Sequence, residues 1–240
     1  MSGNSGNGDK RLNPEFRILA LLVGLISSAC VPPPPPPVAS PPAIQSGDLV
    51  FLDLGCGKLC DAIADVTKRQ FRVKGPSLSH VGILSEEEGR WFLYEAWDGV
   101  QRTPYEKVSA RLRKLPHPEQ RRRFGHIRGL SLEDRVRIVG VAKRYLGRPY
   151  DEAFLRNNGK YYCSELVADV FSKALPNRRL FSYRPMYFGD PRNPRDRAWK
   201  IWKDYFKKRG ERVPVGKPGV SPLGIYLSDD VIPIGPDSKK

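Results

Sequence analysis

A cysteine at the start of a helix-like segment is the first residue whose type and position suggest chemistry. Cys163 opens a segment that we predict to be helical as far as about Leu175, and the first turn of a helix favours thiolate over thiol. A small buried core residue is the alternative interpretation of Cys163. The apolar residues behind it recur at the spacing of one helical face: Leu166, Val167, Val170, Phe171 and Ala174.

A histidine and a glutamate on a predicted hairpin could supply a base and a group that orients it. Residues 80–84 and 91–96 read as two strands around a polar loop that contains glycine. With a four-residue loop at 86–89, Ser85 faces Arg90 and His80 faces Glu95. A carboxylate beside an imidazole fixes its tautomer and stabilises its protonated form. A one-residue slip in register would separate the two side chains, and a surface ion pair is the alternative.

The elements that must position these residues follow an α+β pattern. An apolar strand after Gly47-Asp48, a short helix over residues 61–69 and a helix capped by Ser131 flank the hairpin. We therefore expect helices packed on a small antiparallel sheet. The residues at helical spacing in these two helices are Ile63 and Val66 in the first, and Leu132, Val136, Val139 and Ala142 in the second.

Four segments in this order resemble one enzyme family. They are Gly47-Asp48-Leu49-Val50-Phe51, Ser79-His80-Val81-Gly82-Ile83, Tyr94-Glu95-Ala96 with Gly99-Val100, and Tyr162-Cys163-Ser164-Glu165-Leu166-Val167. Together they resemble the YiiX/YaeF branch of the circularly permuted papain-like hydrolases, relatives of the NlpC cell-wall peptidases and lecithin retinol acyltransferase.

The resemblance implies a fold and a set of site residues. The fold would be a permuted papain-like domain over residues 47–190, with a barrel-like sheet and the nucleophile at a helix N-terminus. His80 would be the base, Glu95 its orienter and Cys163 the nucleophile, without a metal or other cofactor. Tyr150-Asp151 also resembles the family segment before the cysteine helix, where we expect a structural role.

The expected reaction is attack of a Cys163 thiolate on an amide or ester carbonyl to give an acyl-enzyme. The substrate implied by the resemblance is a cell-wall peptide or a lipid-linked acyl group. Hydrolysis and acyl transfer differ only in the molecule that accepts the acyl group from the enzyme, and the sequence does not decide between them. A non-catalytic envelope-binding lipoprotein of the same fold is a further alternative.

The N-terminal segment predicts export. An apolar run at residues 18–26 follows Lys10, Arg11 and Arg17, is too short to span a bilayer, and precedes Ser27-Ser28-Ala29-Cys30. We predict a signal peptide over residues 1–29, lipidation of Cys30 and an extended proline-rich linker over residues 30–46. An ordinary cleaved signal near Ala29 and an uncleaved anchor are the alternatives. The expected location is the periplasmic face of a bacterial membrane, or outside the cell.

The chain is strongly basic, with 41 Lys and Arg against 26 Asp and Glu among 240 residues, a formal charge of +15. This composition excludes collagen, coiled coils, multi-span membrane proteins and fully disordered chains. The excess lies in residues 102–148, with fourteen basic and four acidic residues, and in residues 192–212, with nine and three. We expect docking to an anionic membrane or envelope surface, away from the chemistry, and no binding of nucleic acid. Residues 191–240 are predicted to be a basic aromatic extension with an extended or disordered tail.

Three other groups could be mistaken for sites. Cys56 and Cys60 could form a small-loop disulfide or stay reduced, and His117 and His126 lack the spacing of a zinc finger. Glu165, two residues after Cys163, is predicted to be a surface glutamate at the helix N-terminus.

Overall fold

A six-stranded antiparallel sheet organises the part of the chain that the structure, a computed structural model, describes, which is residues 44–235. The sheet order is β4-β3-β2-β1-β5-β8. The strands are β1 (Leu49–Leu52), β2 (His80–Glu87), β3 (Arg90–Ala96), β4 (Val100–Pro104), β5 (Arg122–Ile127) and β8 (Val231–Ile234), and a separate two-stranded sheet pairs β6 (Arg184–Pro185) with β7 (Pro218–Gly219). The predicted signal peptide, Cys30 and all but the end of the proline-rich linker lie outside the described residues.

Six α-helices accompany the sheet in the described part. Both the helix expected over residues 61–69 and the cysteine helix form, and the α+β permuted papain-like class is confirmed. The sheet is open rather than barrel-like, because β4 and β8 are its two edges. The helices are α1 (Lys58–Phe71), α2 (Tyr105–Arg113), α3 (Leu132–Lys143), α4 (Cys163–Ala174), α5 (Arg197–Lys207) and α6 (Pro222–Tyr226), with a 3₁₀ turn at Pro118–Arg121.

The two faces of the sheet are covered by different helices. Alternating side chains of β1, β2 and β3 pack against α3, α4 and α6 in the larger core, which includes Phe51, Ile83 and Tyr94. Helices α1 and α5 pack against each other in the same core. The intervening side chains, such as Leu84 and Leu93, pack against α2 in a smaller cluster. Glu95 has the same strand parity as Leu93, so it lies on the face that α2 covers.

The hairpin of β2 and β3 forms, but its predicted register is wrong by two residues. Ile83 pairs with Tyr94 and Glu87 with Arg90, so the turn is Glu88-Gly89 instead of a four-residue loop. Both turn residues have positive φ, 53° and 73°, as a type I′ turn requires. A glutamate rarely adopts that conformation, so the residue types do not mark Glu88-Gly89 as a two-residue turn.

Helix α3 begins where Ser131 predicts, but its buried face differs from the apolar spacing in the sequence. The Ser131 hydroxyl accepts from the Asp134 amide, and the Asp134 carboxylate accepts from the Ser131 amide. Leu132 and Val136 are exposed, at 79% and 66% of their surface. Val139 and Ala142 are buried, as their spacing predicts, and the rest of the buried face is Arg135, Ile138 and Val141. Arg135 faces inward because it binds the buried carboxylate of Asp48.

The C-terminal residues are part of the same compact unit, and no structural boundary falls at residue 190. Trp202 and Phe206 of α5 are buried in the larger core. Strand β8 pairs with β5, with Val231 opposite Ile127. The predicted extended or disordered tail beyond Val213 is therefore folded as far as residue 235, with β7, α6 and β8 in order. Within the described residues, no helix has the length and apolar character to cross a bilayer.

Candidate active site

Cys163 is the first residue of α4, as the sequence predicts. Its thiol is free and the residue is 6% exposed. The apolar stripe behind it, from Leu166 to Ala174, is buried against the sheet and fixes the rotation of the helix. The thiol therefore sits beside the first-turn N–H groups, where the helix favours negative charge.

His80 is the first residue of β2, and its imidazole is shared between an acid and the thiol. The Nε2 atom lies 2.7 Å from Oε2 of Glu95, and both residues are buried. Since an ionised carboxylate only accepts, Nε2 carries a proton, which leaves Nδ1 for Cys163. Burial lowers the pKa of His80, but the hydrogen bonds and charges of Cys163 and Glu95 outweigh it and raise this pKa to about 9. The site thus stabilises the protonated imidazole of His80.

Glu95 reaches His80 from a diagonal position, since continuing the observed register by one pair sets Gly82 opposite Glu95. The two-residue error in the predicted register leaves this contact intact, because a shift of two keeps every side chain on its face. A Cβ on Gly82 would lie 2.7 Å from the Leu93 side chain, so this position requires glycine.

Two residues that the sequence analysis did not identify hold the Glu95 carboxylate. Thr103 on β4 donates from Oγ1 to Oε1 over 2.6 Å. Arg111 on α2 donates from Nη1 to both carboxylate oxygens, at 2.9 and 3.1 Å. Burial raises the pKa of Glu95, but contacts with His80, Thr103 and Arg111 lower it to about 2. The orienting group is therefore a carboxylate at any physiological pH.

Trp97, just after β3, packs against two of the side chains that bond to the Glu95 carboxylate, His80 and Arg111. Its ring lies edge-on to His80 with centroids 5.6 Å apart. The guanidinium of Arg111 lies over the same indole, 4.6 Å from its centroid. The ring limits the positions that the imidazole and the arginine can take. No spacing rule links Trp97 or Arg111 to His80 in the sequence, but a buried Glu95 needs a cation, which could have prompted a search for one.

A cavity of about 390 Å³ opens beside Cys163. Its wall combines apolar and polar side chains from α1, α5, α6 and the loops on either side of α5, and it includes the aromatic rings of Tyr150 and Tyr162. The polar wall residues include Arg179, Asp229 and Asp230. Representative apolar wall residues are Ile63, Val66, Phe154, Phe181, Met186 and Trp202.

Glu165 is not the surface residue that its helix position predicted. It is 3% exposed, and its Oε2 has no hydrogen-bond partner among the described residues. Burial, followed by the charges of Asp151 and Asp169, raises the pKa of Glu165 to about 8, although the Tyr162 backbone N–H bonds to it. The prediction failed because residues from outside the helix, among them Asp151 and Tyr183, lie close to Glu165.

The other candidates lie apart from this arrangement. Cys56 and Cys60 form a disulfide at the start of α1. His117 is exposed, and His126 Nδ1 lies 2.7 Å from a carboxylate oxygen of Asp48. Asp151, expected to be structural, is buried and accepts from the amides of Ala153 and Leu155. Within residues 44–235, no three His, Cys, Asp or Glu side chains are grouped to hold a metal ion.

Known proteins share this arrangement of elements. A family model described as "permuted papain-like amidase enzyme, YaeF/YiiX, C92 family" matches residues 43–206. The uncharacterized protein YiiX of Escherichia coli K12 is 28% identical over 209 residues, which cover 87% of this chain and 89% of YiiX. A crystal structure titled as that of the metalloprotein YiiX from E. coli O157:H7 superposes with a TM-score of 0.64 at 24% identity, over 81% of this chain and 98% of that one. This last match shows a common fold.

Proposed function

Because the chain belongs to the YaeF/YiiX family of permuted papain-like amidases, we propose that it is a cysteine hydrolase with Cys163 as nucleophile, His80 as base and Glu95 as orienter. The observation that carries this proposal is the buried His80–Glu95 hydrogen bond beside a free cysteine at a helix N-terminus. That arrangement has the parts of a nucleophile, a base and an orienting acid.

The proposed reaction begins with the Cys163 proton already on Nδ1 of His80, whose raised pKa favours the imidazolium. The thiolate attacks the carbonyl carbon, and the oxyanion lies near the Cys163 backbone N–H at the start of α4. Collapse breaks the bond to the amine or alcohol, which takes the proton from His80 and leaves an acyl-enzyme. Water then gives a proton to His80 and attacks the thioester, and the released thiolate regains that proton.

The cavity favours an acyl chain over a peptide as the group bound on the acyl side. Aromatic and aliphatic side chains such as Phe154, Phe181 and Trp202 line part of its wall, and a volume of about 390 Å³ is typical of sites that enclose small ligands. We therefore propose a lipid-linked amide or ester as substrate. The polar wall residues, which include Arg179, Asp229 and Asp230, can contact the polar part of such a molecule.

Chromogenic acyl esters of increasing chain length test this function. The unmodified chain should turn them over with a preference for longer chains, and Cys163→Ala should abolish turnover while unfolding as cooperatively as the parent. His80→Ala should slow labelling of Cys163 by an electrophilic thiol probe, whereas His117→Ala, at an exposed histidine, should not. Turnover that survives Cys163→Ala would reject the enzyme. Cleavage of cell-wall peptides without acyl-ester turnover would reject only the lipid substrate.

The proposal includes export and lipidation of Cys30, both from the N-terminal sequence. The Cys56–Cys60 disulfide supports an oxidising compartment such as the periplasm. Incorporation of labelled palmitate in a bacterial host is the test. Label should be lost in Cys30→Ala and retained in Cys163→Ala, and label on the Cys30→Ala chain would contradict the assignment.

The proposed mechanism uses no metal. The E. coli O157:H7 neighbour is described as a metalloprotein. In this chain, the side chains over residues 44–235 do not provide a group of three metal-ligating residues. The described residues therefore do not fit a bound ion, and we derive no step through one.

A further inference from the structure

Helix α5 has a buried face and a strongly basic exposed face. Ala198, Trp202 and Phe206 are buried. The exposed residues include lysines at i, i+3 and i+7: Lys200, Lys203 and Lys207. These positions lie along one side of the helix, so three ammonium groups share a surface. We call this surface, with the neighbouring Trp199 and Arg212, the α5 basic surface.

The lysines of the α5 basic surface are not used to hold the fold together. In the part of the chain that the structure describes, no carboxylate lies within ion-pairing distance of any of the three. The nearby carboxylate of Asp196 forms an ion pair with Arg69, with Nη1 and Oδ2 2.7 Å apart. Residues 195–212 contain eight basic and three acidic residues, so the local charge is positive even with Asp204 and Glu211 included. Such a surface attracts a dense anionic partner.

The α5 basic surface also includes an aromatic group. Trp199 lines a shallow groove together with Lys203, Lys207, Arg212 and Val213. Tryptophan is enriched where proteins meet the headgroup region of a bilayer, because its ring is apolar and its N–H is polar. A lysine row beside an indole is the composition of interfacial helices on anionic membranes.

The position of α5 relates this surface to the cavity. Trp202, on the buried side of the same helix, is a wall residue of the cavity beside Cys163. One helix therefore separates the cavity from the lysine row. An acyl chain leaving a bilayer that touched the α5 basic surface would have a short path to this wall.

We propose that the α5 basic surface docks the protein on the anionic phospholipid headgroups of a bilayer. The interaction does not require Cys163 to react, so it stands or falls separately from the hydrolase proposal. Each lysine at an anionic membrane surface contributes enough to change partitioning about fivefold. Neutralising all three is therefore expected to weaken binding roughly 100-fold.

Vesicle sedimentation of the full-length chain tests the proposal. The chain would carry Cys30→Ala, to remove any lipid anchor, and Cys163→Ala, to prevent turnover. Binding to phosphatidylcholine vesicles with and without phosphatidylglycerol isolates the electrostatic part, since the N-terminal apolar segment is the same in every variant. The test variant is Lys200→Gln, Lys203→Gln and Lys207→Gln together. The matched control is Lys107→Gln, Arg113→Gln and Lys114→Gln, which removes the same charge from exposed positions at α2.

We expect salt-sensitive binding to the anionic vesicles, lost roughly 100-fold in the α5 variant and at most a few-fold in the α2 variant. Equal losses in both variants would show that net charge alone drives binding and would overturn the assignment to α5. Unchanged binding by the α5 variant would overturn it as well. So would retention on a soluble polyanion such as heparin without retention on the vesicles. Equal thermal unfolding of the variants and parent excludes misfolding as the cause.

Discussion

The two most basic stretches of the chain, residues 102–148 and 192–212, use their charges in opposite ways. In the first, Arg111 binds Glu95, Arg121 binds Asp53 and Arg135 binds Asp48, all across long sequence separations. In the second, Arg209 pairs with Glu152, but the α5 lysines face outward. A net-charge count treats the two stretches alike.

Paired and unpaired basic residues differ in whether they can belong to the proposed active site. We expected the charge excess to lie apart from the chemistry, but within residues 102–148 Arg111 contacts the carboxylate that holds His80 in the proposed site. That expectation remains a proposal for residues 192–212. Removing a cation that points inward to a buried carboxylate costs much unfolding free energy, because that carboxylate loses its partner. A cation that points outward is hydrated with or without a partner, so its removal costs little.

The largest expected effect is on stability at the Asp48–Arg135 pair. Asp48 is fully buried, and Arg135→Met would leave its carboxylate without the guanidinium that it accepts from. Breaking such a pair costs about 3–5 kcal/mol of unfolding free energy, measurable by urea denaturation. Arg137→Met, at an exposed pair on the same helix, should cost under about 0.5 kcal/mol. Similar losses in both variants would remove the distinction between inward and outward cations.

The next effect is on reactivity at Arg111. Arg111→Met removes a charge-assisted hydrogen bond of about 1.5–3 kcal/mol from Glu95, so we expect roughly a 10- to 100-fold slower thiol-probe reaction. Because the cation helps hold the pKa of Glu95 near 2, its loss should also move the acid limb of the pH profile upward. Arg111→Lys should restore part of the rate.

A matched variant on the same helix controls for Arg111. Arg113 is exposed, and Arg113→Met should leave both the rate and the pH profile unchanged. An Arg111→Met enzyme with a normal acid limb would show that Arg111 is merely structural.

A smaller and pH-dependent effect is expected at Glu165, the buried carboxylate near the nucleophile that has no ion pair in the described residues. Its pKa rises from 4.5 in the unfolded chain to about 8, so the native state holds the extra proton between these values and stability falls as pH rises. The slope is up to about 1.4 kcal/mol per pH unit. Glu165→Gln should flatten it.

His80 adds a slope of the same sign between pH 6.5 and about 9, because its pKa is also raised. The Glu165 effect is therefore read at pH 5 to 6.5, from urea unfolding at fixed pH. The exposed Glu133→Gln serves as control and should follow the parent. An unchanged slope in Glu165→Gln would mean that this carboxylate is ionised in the fold.

The smallest effect is expected at single α5 lysines. Lys203→Gln and Lys207→Gln remove exposed charges that have no carboxylate partner within residues 44–235, so unfolding free energy should change by less than about 0.5 kcal/mol. Thermal and urea unfolding of each variant measure this. A loss above about 1 kcal/mol would show that the outward lysines also support the fold.

Local patterns in the sequence predicted much of the fold and part of the site. The Cys163 helix and its buried stripe follow from helical spacing, and the pairing of His80 with Glu95 follows from strand alternation. The hairpin register was wrong, yet the contact survived, because alternation fixes the face of a strand more firmly than the position along it.

What the sequence could not supply depends on contacts between distant elements. Arg111 follows Glu95 by sixteen residues and belongs to another helix, so no local period joins them. Leu132 and Val136 match a helical face in spacing, but the buried side of α3 is decided by Asp48 on the sheet. Glu165 was expected at the surface because its position in the helix does not reveal neighbours such as Asp151 and Tyr183, which are distant in the sequence.

Strand β8 and part of the cavity wall come after the site residues along the chain, which has a consequence for biosynthesis. Residues 219–230 contribute to the cavity, and β8 at Val231–Ile234 completes one edge of the sheet. His80, Glu95 and Cys163 are therefore synthesised before the residues that complete the cavity wall and this edge of the sheet. The proposed hydrolase is therefore complete only after residues 219–234 have been made, so a chain that stops short of them carries the reactive residues without a finished site.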